Sequence, residues 1–326
     1  MPPRVIPSLF SSLRSLRSPT HKLKILRTLN ILTFLTFVSS SVYSIVLAKP
    51  SSIDICDKYP TYFTPSLTFI GVFWSILFFL QFCFVSSVQF NDFNFIQSIV
   101  EKYVDWLFSF SNLFMCGWLF FWLRENFIIS EFFIVLTLLS TSLVQNLLTS
   151  KYIPNHPLIP TSVISFIHIP FSMFSAFSCF LLFHNGFILL SQQGYEDYGK
   201  NVNLAIISAS LLTIYSIFWC TTGVFSKGKR DLTFSFAIVW ILIGIAVQQK
   251  ETSLLSNACY LLALIQIMVI FFILLKNCLG PSKTRAESGE SDERAPLFRQ
   301  RMNFYGGIIV DNWYKAPIND DHPGEV

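Results

Sequence analysis

Four polar side chains stand out in this chain because their type and position invite chemistry: Arg124, Glu131, His184 and Asn185. Arg124 opens a short polar break, Arg124-Glu125-Asn126, between two apolar runs; Glu131 lies just inside the second of these, and His184-Asn185 approaches the end of a later one. A charged group in an apolar stretch is costly unless something faces it, so such groups turn toward the interior of a bundle and pair there. Arg124 and Glu131 are therefore expected to pair across the break, with Glu131 directed toward Arg124, His184 or Asn185. The cluster has two readings, the lining of a polar cavity or a structural clasp between helices.

Other recognisable chemistry is missing from the sequence. It contains no P-loop, no dinucleotide glycine fingerprint, no His-Glu-x-x-His and no Cys-x-x-Cys. His168 and His184 share one apolar run but are about 24 Å apart along a helix, too far for a common metal. No nucleophile lies at a readable spacing from a base, and the carboxylates fall mostly in loops and tails. The sequence thus assigns no catalytic residue, no metal ligand and no cofactor, and an enzyme is not the favoured reading. Nothing in its basic residues makes a case for nucleic acid.

The elements that must carry the cluster follow from composition. Of 326 residues, 52% are hydrophobic, 36 are Phe and only 13% are charged, whereas soluble domains are about 25% charged. With a mean hydropathy of +0.55, too few charges remain to coat a water-facing surface. Backbone amides in hydrocarbon must be satisfied internally, which takes about 20 apolar residues per helical crossing. Eight runs qualify: 29–47, 66–88, 106–123, 128–148, 167–190, 202–222, 232–247 (the shortest) and 253–275. The expected fold is all-α, a polytopic transmembrane bundle in the lipid bilayer of about eight spans. It is preceded by a basic tail over 1–28 and followed by a largely disordered tail over 276–326.

Basic residues near span ends are retained in the cytosol. With the N-terminus inside, only Lys49, Lys58, Arg124, Lys200 and Lys250 fall outside, and the other 18 of 23 fall inside, so both termini are expected to be cytosolic. The basic start, with Lys22, Lys24 and Arg27, reads as an orienting flank on anionic lipid rather than a transit peptide. Val46-Leu47-Ala48 resembles a signal-peptidase site; cleavage there would leave seven spans, an arrangement like that of a receptor. Cys56 and Cys259 both fall near outer ends, but cysteine among apolar groups behaves as a small hydrophobe, which favours free thiols over a bridge. In the C-terminal tail Glu293, Leu297 and Phe298 match an acidic dileucine-type signal, a feature that adaptor complexes read.

Five segments carry a resemblance: TYFTP at 61–65, VFWSILFFLQ at 72–81, NLFMCGWLFFWLRENFIISEFF at 112–133, FIHIPFS at 166–172 and HNGFILL at 184–190. In this order and spacing they resemble an uncharacterised fungal family of multi-pass membrane proteins that includes the yeast ionic liquid tolerance protein. His184 stands where that family is expected to have Trp, and Phe171-Ser172-Met173 where it is expected to have a small-residue run, which marks a diverged member. The resemblance implies a fungal integral membrane protein without an established activity and supplies no catalytic residues. The leading functional expectation is a transporter or a transport- and stress-tolerance-associated protein. It would reside in the Golgi, endosome and vacuole route or the plasma membrane, with the endoplasmic reticulum as the alternative. A seven-span receptor, an intramembrane enzyme and a membrane scaffold remain open, and the sequence does not state an oligomeric form.

Overall fold

The computed structural model describes residues 21–90, 94–148, 164–192, 201–222 and 231–279, and every structural statement below concerns these. They form helices α1 (His21–Val46), α2 (Ser52–Lys58), α3 (Leu67–Gln89), α4 (Asn94–Ile99), α5 (Leu107–Trp122), α6 (Phe127–Leu147), α7 (Ile169–Gln192), α8 (Val202–Thr222), α9 (Leu232–Gln248) and α10 (Ser253–Leu279). π-Helical turns over Val100–Val104 and Ile164–His168 follow α4 and precede α7. Among the described residues no strand occurs, and six helices are long and apolar enough to cross a membrane. This is a polytopic helical bundle.

Two elements depart from a row of uniform spans. The run expected over 106–123 yields α5, only 16 residues long. It reaches spanning length only together with residues 96–104, which meet it at 63°. Asp105 causes the break: its φ of 48° lies in the left-handed region, and its N–H returns to the Val100 carbonyl at 2.7 Å. Lys22 Nζ holds the Asp105 carboxylate at 2.9 Å, so one of the basic residues expected to face lipid is instead tied to the bend. The run expected to be shortest yields α9, with 17 residues.

α7 is the central helix. Two-thirds of its apolar stretch (67%) is buried, against 28% for α3 and for α10, so it sits among other helices and not at the rim. Pro170 falls in its first turn, directly after the π-helical turn over Ile164–His168. Phe171, Phe174, Phe177 and Phe180 recur every third residue, and their direction rotates along the axis. They therefore reach several neighbouring elements: Phe171 meets Phe84 of α3 and Phe108 of α5 at 5.7 and 5.9 Å, and Phe174 meets Phe37 of α1 at 5.9 Å. Phe177 meets Phe73 at 5.1 Å and Phe180 meets Phe63 at 5.8 Å. Such ring pairs add about 0.5–1.5 kcal/mol each beyond area burial.

Close backbone approach fixes the hairpin of α5 and α6. A Cβ on Gly117 would lie 2.6 Å from Phe133 Cε1, so a larger residue there must displace a ring already stacked on Phe121. Gly244 of α9 similarly admits the start of α3, where the Ser66 N–H donates to the Gly244 carbonyl at 2.9 Å. Cys56 and Cys259 are free thiols, and burial pushes the Cys56 thiol up to about 11.

Candidate functional site

Two polar nodes sit at opposite ends of the α6–α7 pair. The first forms where α6 begins and α7 approaches its end. The α5–α6 connection is tight: the Glu125 N–H reaches the Trp122 carbonyl and the Asn126 N–H the Phe121 carbonyl, both at 2.9 Å. Asn126 then caps α6, its side-chain oxygen accepting from the Ile129 N–H at 3.3 Å. This geometry turns Phe127, Ser130 and Glu131 toward α7.

Asn185 organises what they meet. Its Nδ2 donates to the Phe127 carbonyl at 3.0 Å and to Glu131 Oε2 at 2.6 Å, and its Oδ1 accepts from Ser130 Oγ at 3.4 Å. The amide is fully buried, which makes these bonds obligatory: an unpaired buried amide costs about 1–3 kcal/mol. His184 is buried between the rings of Trp122 and Phe180, at 5.8 and 5.6 Å. Its Nε2 stands 3.4 Å from Thr64 Oγ1, which contacts Thr61 Oγ1 at 2.9 Å. Its Nδ1 has no hydrogen-bonding partner among the described residues. Gln249, at the end of α9, donates to the carbonyls of Thr61 and Thr64 at 3.2 and 3.3 Å and so pins the TYFTP turn over the histidine.

Arg124 stands apart from this group. It is exposed, and its guanidinium lies 3.9 Å from the centre of the Phe120 ring on the outer face of α5. The ion pair at the hairpin belongs to its neighbour. Glu125 has a left-handed φ of 56°, and that turn directs its carboxylate to Lys58 Nζ at 2.5 Å and to the Tyr59 hydroxyl at 2.6 Å. These donors hold the Glu125 carboxyl below its ordinary value, and Glu125 in turn raises Lys58 and Tyr59. The expected Arg124–Glu131 pair is thus replaced by two separate contacts, Glu131 with Asn185 and Glu125 with Lys58. A helix end splits neighbouring side chains between faces: Arg124 follows the rim of α5, whereas Glu131, one turn into α6, faces the core.

The second node is one that sequence reasoning missed. Asp231 is buried at the start of α9, where Oδ1 accepts from the Phe234 N–H at 3.0 Å as an N-cap. Ser172 Oγ, on α7, lies 2.8 and 2.7 Å from its two oxygens, and Gln145 Nε2, on α6, lies 3.3 Å from Oδ2. The signal was present in the sequence as an Asp immediately before an apolar run. Between the nodes Gln81 is buried, and neither of its side-chain polar atoms has a partner among the described residues. The proposed sorting residues Glu293, Leu297 and Phe298 lie outside the described residues.

Chemically, the first node offers a carboxylate, a carboxamide, hydroxyls and an imidazole beside aromatic rings. It is suited to hydrogen-bonding recognition. Among the described residues, no three His, Cys, Asp or Glu side chains are grouped to hold a metal ion.

The family model for TSPO-like proteins matches residues 27–272, from within α1 to within α10, and so contains both nodes. No curated protein and no solved structure matches the chain. Because the match covers most of the sequence and coincides with the apolar helical bundle, this integral membrane protein belongs to the TSPO-like protein family.

Proposed function

We propose that this protein binds a small polar solute within its bundle and acts as a transporter, or as a transport- and stress-tolerance-associated protein, of a fungal membrane. One observation carries the reading: a fully buried Asn185 gathers the Glu131 carboxylate, a main-chain carbonyl and a hydroxyl beside His184. Polar groups in a spanning helix are costly and tend to mark solute or ion paths. The node would face the lumen or exterior, since the distribution of basic residues favours cytosolic termini. The segment likeness at 61–190 supports the fungal assignment. Glu293, Leu297 and Phe298 would recruit an adaptor complex and direct the protein along the Golgi, endosome and vacuole route.

A deletion strain complemented with variants tests this. Glu131→Gln should leave abundance normal and abolish complementation of the solute or tolerance defect, while Arg124→Gln should change neither. Normal complementation by Glu131→Gln removes the node from the mechanism, and lost abundance reassigns it as a clasp. Replacing Leu297 and Phe298 by Ala should redistribute a tagged protein, and unchanged location discards the sorting role.

A further inference from the structure

α10 meets the bundle along one stripe, Leu255, Cys259, Ala263, Gln266, Ile270 and Ile273, all buried and spaced by three or four residues. Gln266 sets its rotation, with Nε2 donating to Ser216 Oγ of α8 and to the Ser235 carbonyl of α9 at 3.1 Å. Beside this stripe, α10 and the last turn of α8 leave a crevice of about 670 Å³, within the range of roughly 300–1,000 Å³ typical of ligand sites. Its walls include Thr221 at the end of α8 and Ile265, Met268, Val269 and Phe272 of α10. Among the described lining residues one is charged: Lys276, one helical turn beyond Phe272 on the same face of α10.

We propose that this crevice is a binding site for one anionic phospholipid, its acyl chain lying along Met268 and Phe272 and its headgroup paired with Lys276. The shape and charge of the crevice carry this assignment independently of the node proposed for the function. The described lining is apolar over most of its length, which suits a hydrocarbon chain. Among the described residues Lys276 closes the crevice near the end of a spanning helix, the depth at which lipid phosphates lie and at which Lys attracts anionic headgroups. Thr221 is neutral, and its hydroxyl proton is already donated to the Ile217 carbonyl at 2.7 Å. A neutral lipid would fill the apolar walls equally well, so the ammonium is what makes the site selective.

The full chain in nanodiscs of mixed phosphatidylcholine and phosphatidylserine tests this by native mass spectrometry of retained lipid. Wild type should retain phosphatidylserine about five-fold over its share of the bilayer, the factor one interfacial Lys contributes. Lys276→Gln should remove that preference while lipid is still retained, and Lys276→Arg should keep it. Met268→Trp, on an exposed position, should fill the groove and lower retention of both lipids. Equal retention of the two lipids by wild type, or a preference that survives Lys276→Gln, overturns the assignment. Thermal unfolding of each variant in detergent, expected to match wild type, separates a lost site from a lost fold.

Discussion

The two nodes of the α6–α7 pair each centre on one carboxylate, yet they are built differently. Asp231 is nearly saturated: it caps α9 and takes further donors from Ser172 and Gln145, so three helices converge on it. Glu131 accepts one hydrogen bond among the described residues, from Asn185, and is only half-buried. About 21 Å of α6 separates Glu131 from Gln145. A carboxylate whose oxygens are all engaged by its own chain has little left for a ligand, whereas one held by a single amide retains acceptor capacity. Asp231 therefore reads as an architectural group and Glu131 as the accessible one.

Removing Asp231 should have the largest effect. Asp231→Ala deletes a cap and leaves Ser172 and Gln145 without their acceptor, which should cost about 2–4 kcal/mol in thermal unfolding of the purified protein. Asp231→Asn should recover most of that, since it still caps. Asn185→Leu comes next, at about 1–3 kcal/mol, because it strips the donor from Glu131 and from the Phe127 carbonyl. If it proved costlier than Asp231→Ala, the contrast between the nodes would be inverted.

Glu131→Gln should cost less than about 1 kcal/mol, because its side-chain oxygen still accepts from Asn185. A loss as large as that of Asp231→Ala would make both nodes architectural. The Lys58–Glu125 pair should give the smallest effect, because it is partly solvated and screened by salt. Its contribution should be full at neutral pH. It should fade as pH falls below 4.5 through the lowered Glu125 value, and as pH rises above 10.5 through the raised Lys58 value. Unfolding of wild type and Lys58→Gln should converge at both extremes and separate slightly between them. A constant difference across pH would mean that Lys58 acts through packing instead.

Much of the bundle is legible in the sequence, because hydrocarbon imposes a length threshold that local sequence must meet alone. Six long helices, the hairpin at 124–126, the short α9 and the inward turn of Glu131 all follow from apolar run length and from the cost of a lone charge. What run length cannot encode is rotation about a helix axis and the conformation of a single residue between helices. Tertiary structure decided that Arg124 lies on Phe120 while Glu125 takes Lys58, because a left-handed residue at the hairpin apex redirects one side chain and not its neighbour. It decided that Asp105 divides one apolar run from the helix before it, and that Lys22 is drawn to that break. It also decided that Asp231, next to a basic stretch in sequence, is buried against Ser172 and Gln145. Membrane insertion is settled by the hydrophobicity of each segment in turn. Partner choice depends on which faces meet, and those faces come from helices far apart in the chain.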